Sequence, residues 1–144
     1  MANFVVYTDG GARGNPGPAG IGVVIEVKIG DKSTENTYSK YIGEATNNVA
    51  EYSAFLLALE KLQQLKATGS DEIAFYLDSQ LVVEQLKGNY KVKNQGLAPL
   101  YQKAVSELGS YSKVAITYIP RERNKKADKL VNQAIDDGLF KSSK

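Results

Sequence analysis

The chain has 144 residues, enough for one domain around one core, and a net charge of +2, too small by itself to argue for a polyanionic partner. It contains no cysteine and no histidine, which excludes disulfides, thiol nucleophiles, an imidazole base and metal sites built on those ligands, so any bound metal is a hard one held by oxygen. The opening Met1-Ala2-Asn3-Phe4 is not a secretory signal, and no apolar run approaches the roughly 20 residues that span a bilayer; a single cytoplasmic domain over residues 1–144, monomeric and without membrane contact, is the expectation.

Phe4-Val5-Val6-Tyr7-Thr8 is apolar and largely β-branched or aromatic, and predicts a buried strand that ends in Asp9. A carboxylate at such a strand tip is costly unless a cation compensates it. Gly10, Gly11, Gly14 and Gly17 follow, with Arg13 and Asn15 among them. This reads either as a plain strand terminus or as a long glycine turn that clears space for a ligand with phosphates and hydroxyls. Gly20–Lys28 predicts a second strand, Gly30-Asp31-Lys32 a turn, and Ser33–Ile42 a third strand with one wetter face; short connections make these an antiparallel meander.

Thr46-Asn47-Asn48 opens a helix to about Lys66, with Glu51, Phe55, Ala58, Leu62 and Leu65 on one stripe. Glu51 therefore points toward the sheet, or else closes a capping box with Asn48. Glu72–Asp78 predicts a fourth strand, again ending in a carboxylate, and Ser79-Gln80 starts a helix to about Leu86. Strand, helix, strand, helix implies parallel strands, at whose carboxyl ends ligands bind. Asp78 is either part of such a site or the N-cap of the helix that follows. Leu97 to about Leu108 predicts a helix, Lys113–Ile119 a fifth strand, and Asn124 the cap of a last helix to about Asp137. Asp128 lies at the edge of that helix's core face, where it is either a ligand or a first-turn acid that complements the helix dipole. Basic stretches surround these acids: no acidic residue occurs from Gln85 to Ser106, while Arg121, Arg123, Lys125, Lys126 and Lys129 cluster around Asp128. They are either a solvated surface or the bed for a polyanion across a metal site.

Four gathered carboxylates would repel one another and stay partly protonated unless cations bridge them. Two Mg²⁺ ions about 4 Å apart resolve that repulsion and supply the means to cleave a phosphodiester, with Mn²⁺ as a substitute.

Thr8-Asp9-Gly10-Gly11 with Gly14-Asn15-Pro16-Gly17, Thr46-Asn47-Asn48 with Glu51, Asp78-Ser79 after a strand, and Asn124 with Ala127-Asp128 and Leu130 resemble, in order, the signatures of the type 1 ribonuclease H family. The resemblance covers nearly the whole chain. It implies an α/β ribonuclease H-like fold, with a five-stranded mixed sheet in order 3-2-1-4-5 flanked by helices. It also implies endonucleolytic cleavage of the RNA strand of an RNA–DNA hybrid, leaving 5′-phosphate and 3′-hydroxyl ends. Asp9 would bridge two Mg²⁺ ions, Asp128 would hold one of them, and Glu51 and Asp78 the other. Asn15, Asn47 and Asn48 would touch the minor groove of the hybrid, where the 2′-hydroxyl marks RNA, and Thr46 a phosphate of the DNA strand. Gly10, Gly11, Ser79, Lys91, Lys93, Asn94, Arg121 and Arg123 complete the implied substrate contacts. The chain departs from the family pattern in two places. Arg121-Glu122-Arg123 stands where many members have a loop histidine, and only Lys87–Asn94 fills the place of a longer basic protrusion. A non-cleaving hybrid-binding module of the same architecture is the competing expectation.

Overall fold

In the first strand, Phe4 and Val6 are buried on one side while Val5 and Tyr7 face the other, the two-residue period of a pleated strand. The computed structural model describes residues 2–142. Its elements are β1 (Asn3–Ala12), β2 (Gly17–Ile29), β3 (Lys32–Ala45), α1 (Asn47–Gln64), β4 (Glu72–Leu77), α2 (Gln80–Leu86), α3 (Ala98–Leu108), β5 (Lys113–Tyr118) and α4 (Lys125–Ser142), with a 3-10 turn at Arg121–Arg123. The sheet runs β3-β2-β1-β4-β5; β1, β2 and β3 pair antiparallel, while β4 pairs parallel with both β1 and β5. No helix among the described residues is long and apolar enough to cross a membrane.

One face of the sheet carries the main core. Phe4, Val6, Val23, Ile25, Ile73 and Phe75 meet Phe55, Leu59 and Leu62 of α1, and the Phe55 and Phe75 rings lie 4.7 Å apart. Aromatic pairs at that separation add about 0.5–1.5 kcal/mol beyond their buried area. The other face takes α4. Gly22 pairs with Asp9 across β1 and β2, so both face α4, while Gly10 pairs with Ile21 on the α1 side.

Glycines set how closely the two long helices approach. A Cβ on Gly10 would overlap the Ala50 carbonyl of α1; one on Gly22 would stand 2.5 Å from the Ala127 carbonyl of α4, and one on Gly20 2.8 Å from that of Val131. Gly10 was expected in a turn that clears room for a ligand, but the backbone that approaches it is the chain's own helix. β1 also continues to Ala12 instead of ending at Asp9, because β2 goes on pairing with it as far as Ala12↔Ala19. Only the β4 partner stops earlier, at Thr8↔Leu77. Asp9 thus sits where the parallel pairing ends and the antiparallel ribbon goes on.

Several boundaries differ from the sequence reading. α1 ends at Gln64, and Lys66 beyond it has a positive φ of 65°. α4 runs to Ser142, well past Asp137, because Gly138 does not stop it. A Cβ on Gly138 would overlap the Tyr41 ring, so this glycine makes room for β3 and does not break the helix.

Candidate active site

Glu51 reaches the end of the sheet because α1 starts there. Thr46 is the N-cap, its hydroxyl accepting the Val49 N–H at 3.2 Å, which places Glu51 in the second turn on the buried face. No capping box with Asn48 forms. Instead, Glu51 Oε1 accepts the Gly10 N–H at 2.9 Å, across the gap that the missing Gly10 side chain leaves open. Glu51 Oε2 is buried without a partner.

Asp78 is the residue after β4. It does not cap α2, since Ser79 does so, with its hydroxyl accepting the Val82 N–H at 3.3 Å. Asp78 Oδ2 accepts from Asn124 Nδ2 at 2.8 Å, and the same nitrogen donates to the Thr8 carbonyl at 2.8 Å. Asn124, only 2% exposed, therefore ties the last parallel-paired residue of β1 and the residue after β4 to the start of α4. The sequence reading made Asn124 a helix cap and missed this role. Its partners lie 116 and 46 residues away, so no local pattern marks it.

Single oxygens of Asp9, Glu51 and Asp78 all lie within 4.8 Å of one another, in a cleft of 320 Å³ also lined by Gly10, Asn47, Asn48, Ser79 and Arg121. Asp9 and Glu51 are each 6% exposed. Asp128, on the first turn of α4, stands outside this trio and has Arg121 NH2 at 3.6 Å. Burial is the main force on all three clustered acids. It pushes Asp9 up to about 7, helped by the charges of Asp78 and Asp128 and opposed by the Glu51 carboxyl. Glu51 is held well above the usual carboxylate range by burial and then by the charge of Asp9. Asp78 is raised by burial but relieved by the Asn124 hydrogen bond and the charge of Arg121. Two buried acids and a half-buried one, all with raised proton affinity and one with an orphaned oxygen, suit a hard divalent cation with oxygen ligands.

The expected substrate contacts divide. Asn47, Asn48, Ser79, Gly10 and Arg121 line the cleft. Asn15 does not, but its Oδ1 accepts the Asn47 N–H at 3.0 Å, and Asn47 Oδ1 accepts the Ala12 N–H at 2.9 Å. Both side-chain oxygens are thus committed within the chain, which leaves their amide groups as donors. Thr46 spends its hydroxyl oxygen on the α1 cap. Asn94 closes its own turn, with Oδ1 accepting the Gly96 N–H at 2.7 Å. Lys91, Lys93 and Arg123 are exposed and, like Gly11, lie outside the cleft lining.

Residues 7–134 match the family described as reverse transcriptase-like. LC11-RNase H1, isolated from compost by a metagenomic approach and solved in complex with an RNA/DNA hybrid, superposes with a TM-score of 0.86 at 46% identity, over 94% of this chain and 99% of that one. The ribonuclease H of Alcanivorax borkumensis is 31% identical over 151 residues, covering 95% of this chain and 94% of its own length. The bifunctional protein Rv2228c of Mycobacterium tuberculosis is 46% identical over 133 residues, or 92% of this chain, which spans only 35% of that relative's length.

Proposed function

Because the chain belongs to the type 1 ribonuclease H family, we propose that it hydrolyses the RNA strand of RNA–DNA hybrids with divalent metal, Mg²⁺ in a two-ion arrangement. The observation that carries this reading is the convergence of Asp9, Glu51 and Asp78 within 4.8 Å, just past the point where the parallel pairing of β1 and β4 ends. Asp9, Glu51 and Asp78 would hold one ion, and Asp9 with Asp128 the other; when bound, the pair supplies activation of the attacking water and stabilisation of the leaving oxygen.

The chain's own groups prepare that site. Gly10 N–H fixes one oxygen of Glu51 and leaves the other free. Asn124 does the same for Asp78 by occupying Oδ2. Burial and mutual repulsion raise the proton affinity of Asp9 and Glu51 in the ion-free state, so an arriving cation competes with protons there. Asn15 and Asn47, whose oxygens are already bonded, present donors that suit the acceptors of a minor groove and a 2′-hydroxyl oxygen. Arg121 lies over the cleft as a permanent cation for substrate phosphate. A cytoplasmic monomer is part of the proposal.

The test is a gel of hybrid with each strand labelled in turn, with and without Mg²⁺. Only the RNA strand should be cut, only with metal, and only in the hybrid. Binding without cleavage would favour the non-cleaving module.

A further inference from the structure

The turn between β1 and β2, residues 13–16, is held from both sides. On the α1 side, Asn15 Oδ1 accepts the Asn47 N–H and Asn47 Oδ1 accepts the Ala12 N–H. On the α4 side, Arg13 NH1 lies 2.7 Å from Asp136 Oδ1, and Arg13 NH2 donates to both the carbonyl and the side-chain oxygen of Asn132 at 3.3 Å. Asn132 in turn donates to the Asp128 carbonyl at 3.1 Å. Arg13 thus grips α4 one and two turns beyond Asp128. The Arg13 N–H closes its own turn on the Pro18 carbonyl at 2.9 Å.

We infer that Arg13 is a positioning residue, which clamps the turn carrying Asn15 to the helix carrying Asp128 and so sets the recognition surface against the carboxylates. The inference rests on the proposed reading of the cleft as a hybrid-binding site. Stability does not account for the contact, because the Arg13 and Asp136 side chains are 41% and 67% exposed, where ion pairs contribute little. Geometry accounts for it better: a planar guanidinium fork bonding three oxygens on one helix fixes direction as well as distance. A turn ordered before the duplex arrives spares the binding step that ordering cost.

The alternative is that Arg13 touches a phosphate itself, and the two differ in what Asp136 does. Fluorescence anisotropy with a labelled RNA–DNA hybrid and a matched DNA duplex, on the full chain, separates them. If Arg13 acts through α4, Arg13→Ala and Asp136→Ala each weaken hybrid binding about three- to tenfold. The double variant is then no worse than either single one, Arg13→Lys falls between, and thermal midpoints move by only ~2 °C. Weakening by Asp136→Ala is diagnostic, since removing an anion near a polyanion otherwise tightens binding. Asp136→Ala that binds as well as wild type or better, or losses that add in the double variant, would overturn the clamp. Wild-type preference for hybrid with unchanged Arg13→Ala binding would overturn the clamp alone. Wild type without that preference would remove both the clamp and the reading beneath it.

Discussion

Replacing Asp9 by asparagine should stabilise the metal-free protein while abolishing cleavage. Asp9 ionises near 7 in the fold against the usual 3.8, so the folded state holds a proton that the unfolded chain releases earlier. For a raised acid, stability is full below the unfolded value and is lost as pH rises through the folded one. The gap between about 7 and 3.8 corresponds to about 4 kcal/mol at 1.36 kcal/mol per tenfold change in proton affinity. Asp9 shares its environment with Glu51, and the buried amide that replaces it also costs something, so the net gain at pH 8 should be about 1–3 kcal/mol. At pH 5 the gain should be smaller, because wild-type Asp9 is then protonated when folded. Urea unfolding of both proteins in EDTA at pH 5 and pH 8 measures this directly. Mg²⁺ should then raise the wild-type midpoint at pH 8 and leave that of the variant unmoved. A variant less stable than wild type at pH 8, or a difference independent of pH, would refute the claim that Asp9 is held uncomfortably in a crowd of carboxylates.

Three further outcomes follow from the same structure. Gly10→Ala should cost at least about 3 kcal/mol and weaken Mg²⁺ binding, since its Cβ would push away the first turns of α1 and Glu51 with them; thermal unfolding and calorimetry read the two effects. Asp71 is lowered by hydrogen bonds from the Ala2 and Thr68 N–H groups, so its contribution is present above about 3.8 and lost as pH falls through its folded value. Asp71→Ala should therefore cost about 2 kcal/mol at pH 7 and progressively less below pH 4, as read by urea midpoints. Gly138→Ala should lower the thermal midpoint despite alanine's better helix propensity, and Tyr41→Ala in the same chain should reverse the sign of the Gly138 effect.

What was legible in the sequence came from local periodicity and, for the sheet order, from the family resemblance. The inward direction of Glu51, the strand-end placing of Asp78 and the sheet order implied by the family resemblance all match the structure. What was not legible depends on partners distant in the chain. A glycine declares that something comes close but not what, so Gly10 read as room for a ligand when it is room for α1. The last helix was expected to run only to about Asp137, because nothing local shows that Gly138 makes room for Tyr41, nearly a hundred residues before it. Asn124 carries good capping chemistry, yet its Oδ1 has no hydrogen-bond partner among the described residues and its NH2 group donates to Thr8 and Asp78 instead. Asn15, Asn47 and Asn94 were read as outward-facing contacts, although one end of each side chain braces the backbone. Asp128 belongs to the sequence pattern and stands beside Asp9 at the edge of the trio, where its charge raises Asp9 and Arg121 lies 3.6 Å from its carboxylate.

Asp9, Glu51 and Asp78 are proposed to act as one metal-holding unit that cuts RNA in a hybrid. Single-turnover cleavage of an RNA-labelled hybrid at saturating Mg²⁺, by wild type, Asp9→Asn, Glu51→Gln, Asp78→Asn and the three pairwise combinations, tests it most directly. Each single change should remove cleavage almost entirely and the pairs should lose nothing further, as expected for residues that work as a unit. A single variant that still cuts at near wild-type rate, or losses that multiply from one change to the next, would contradict it.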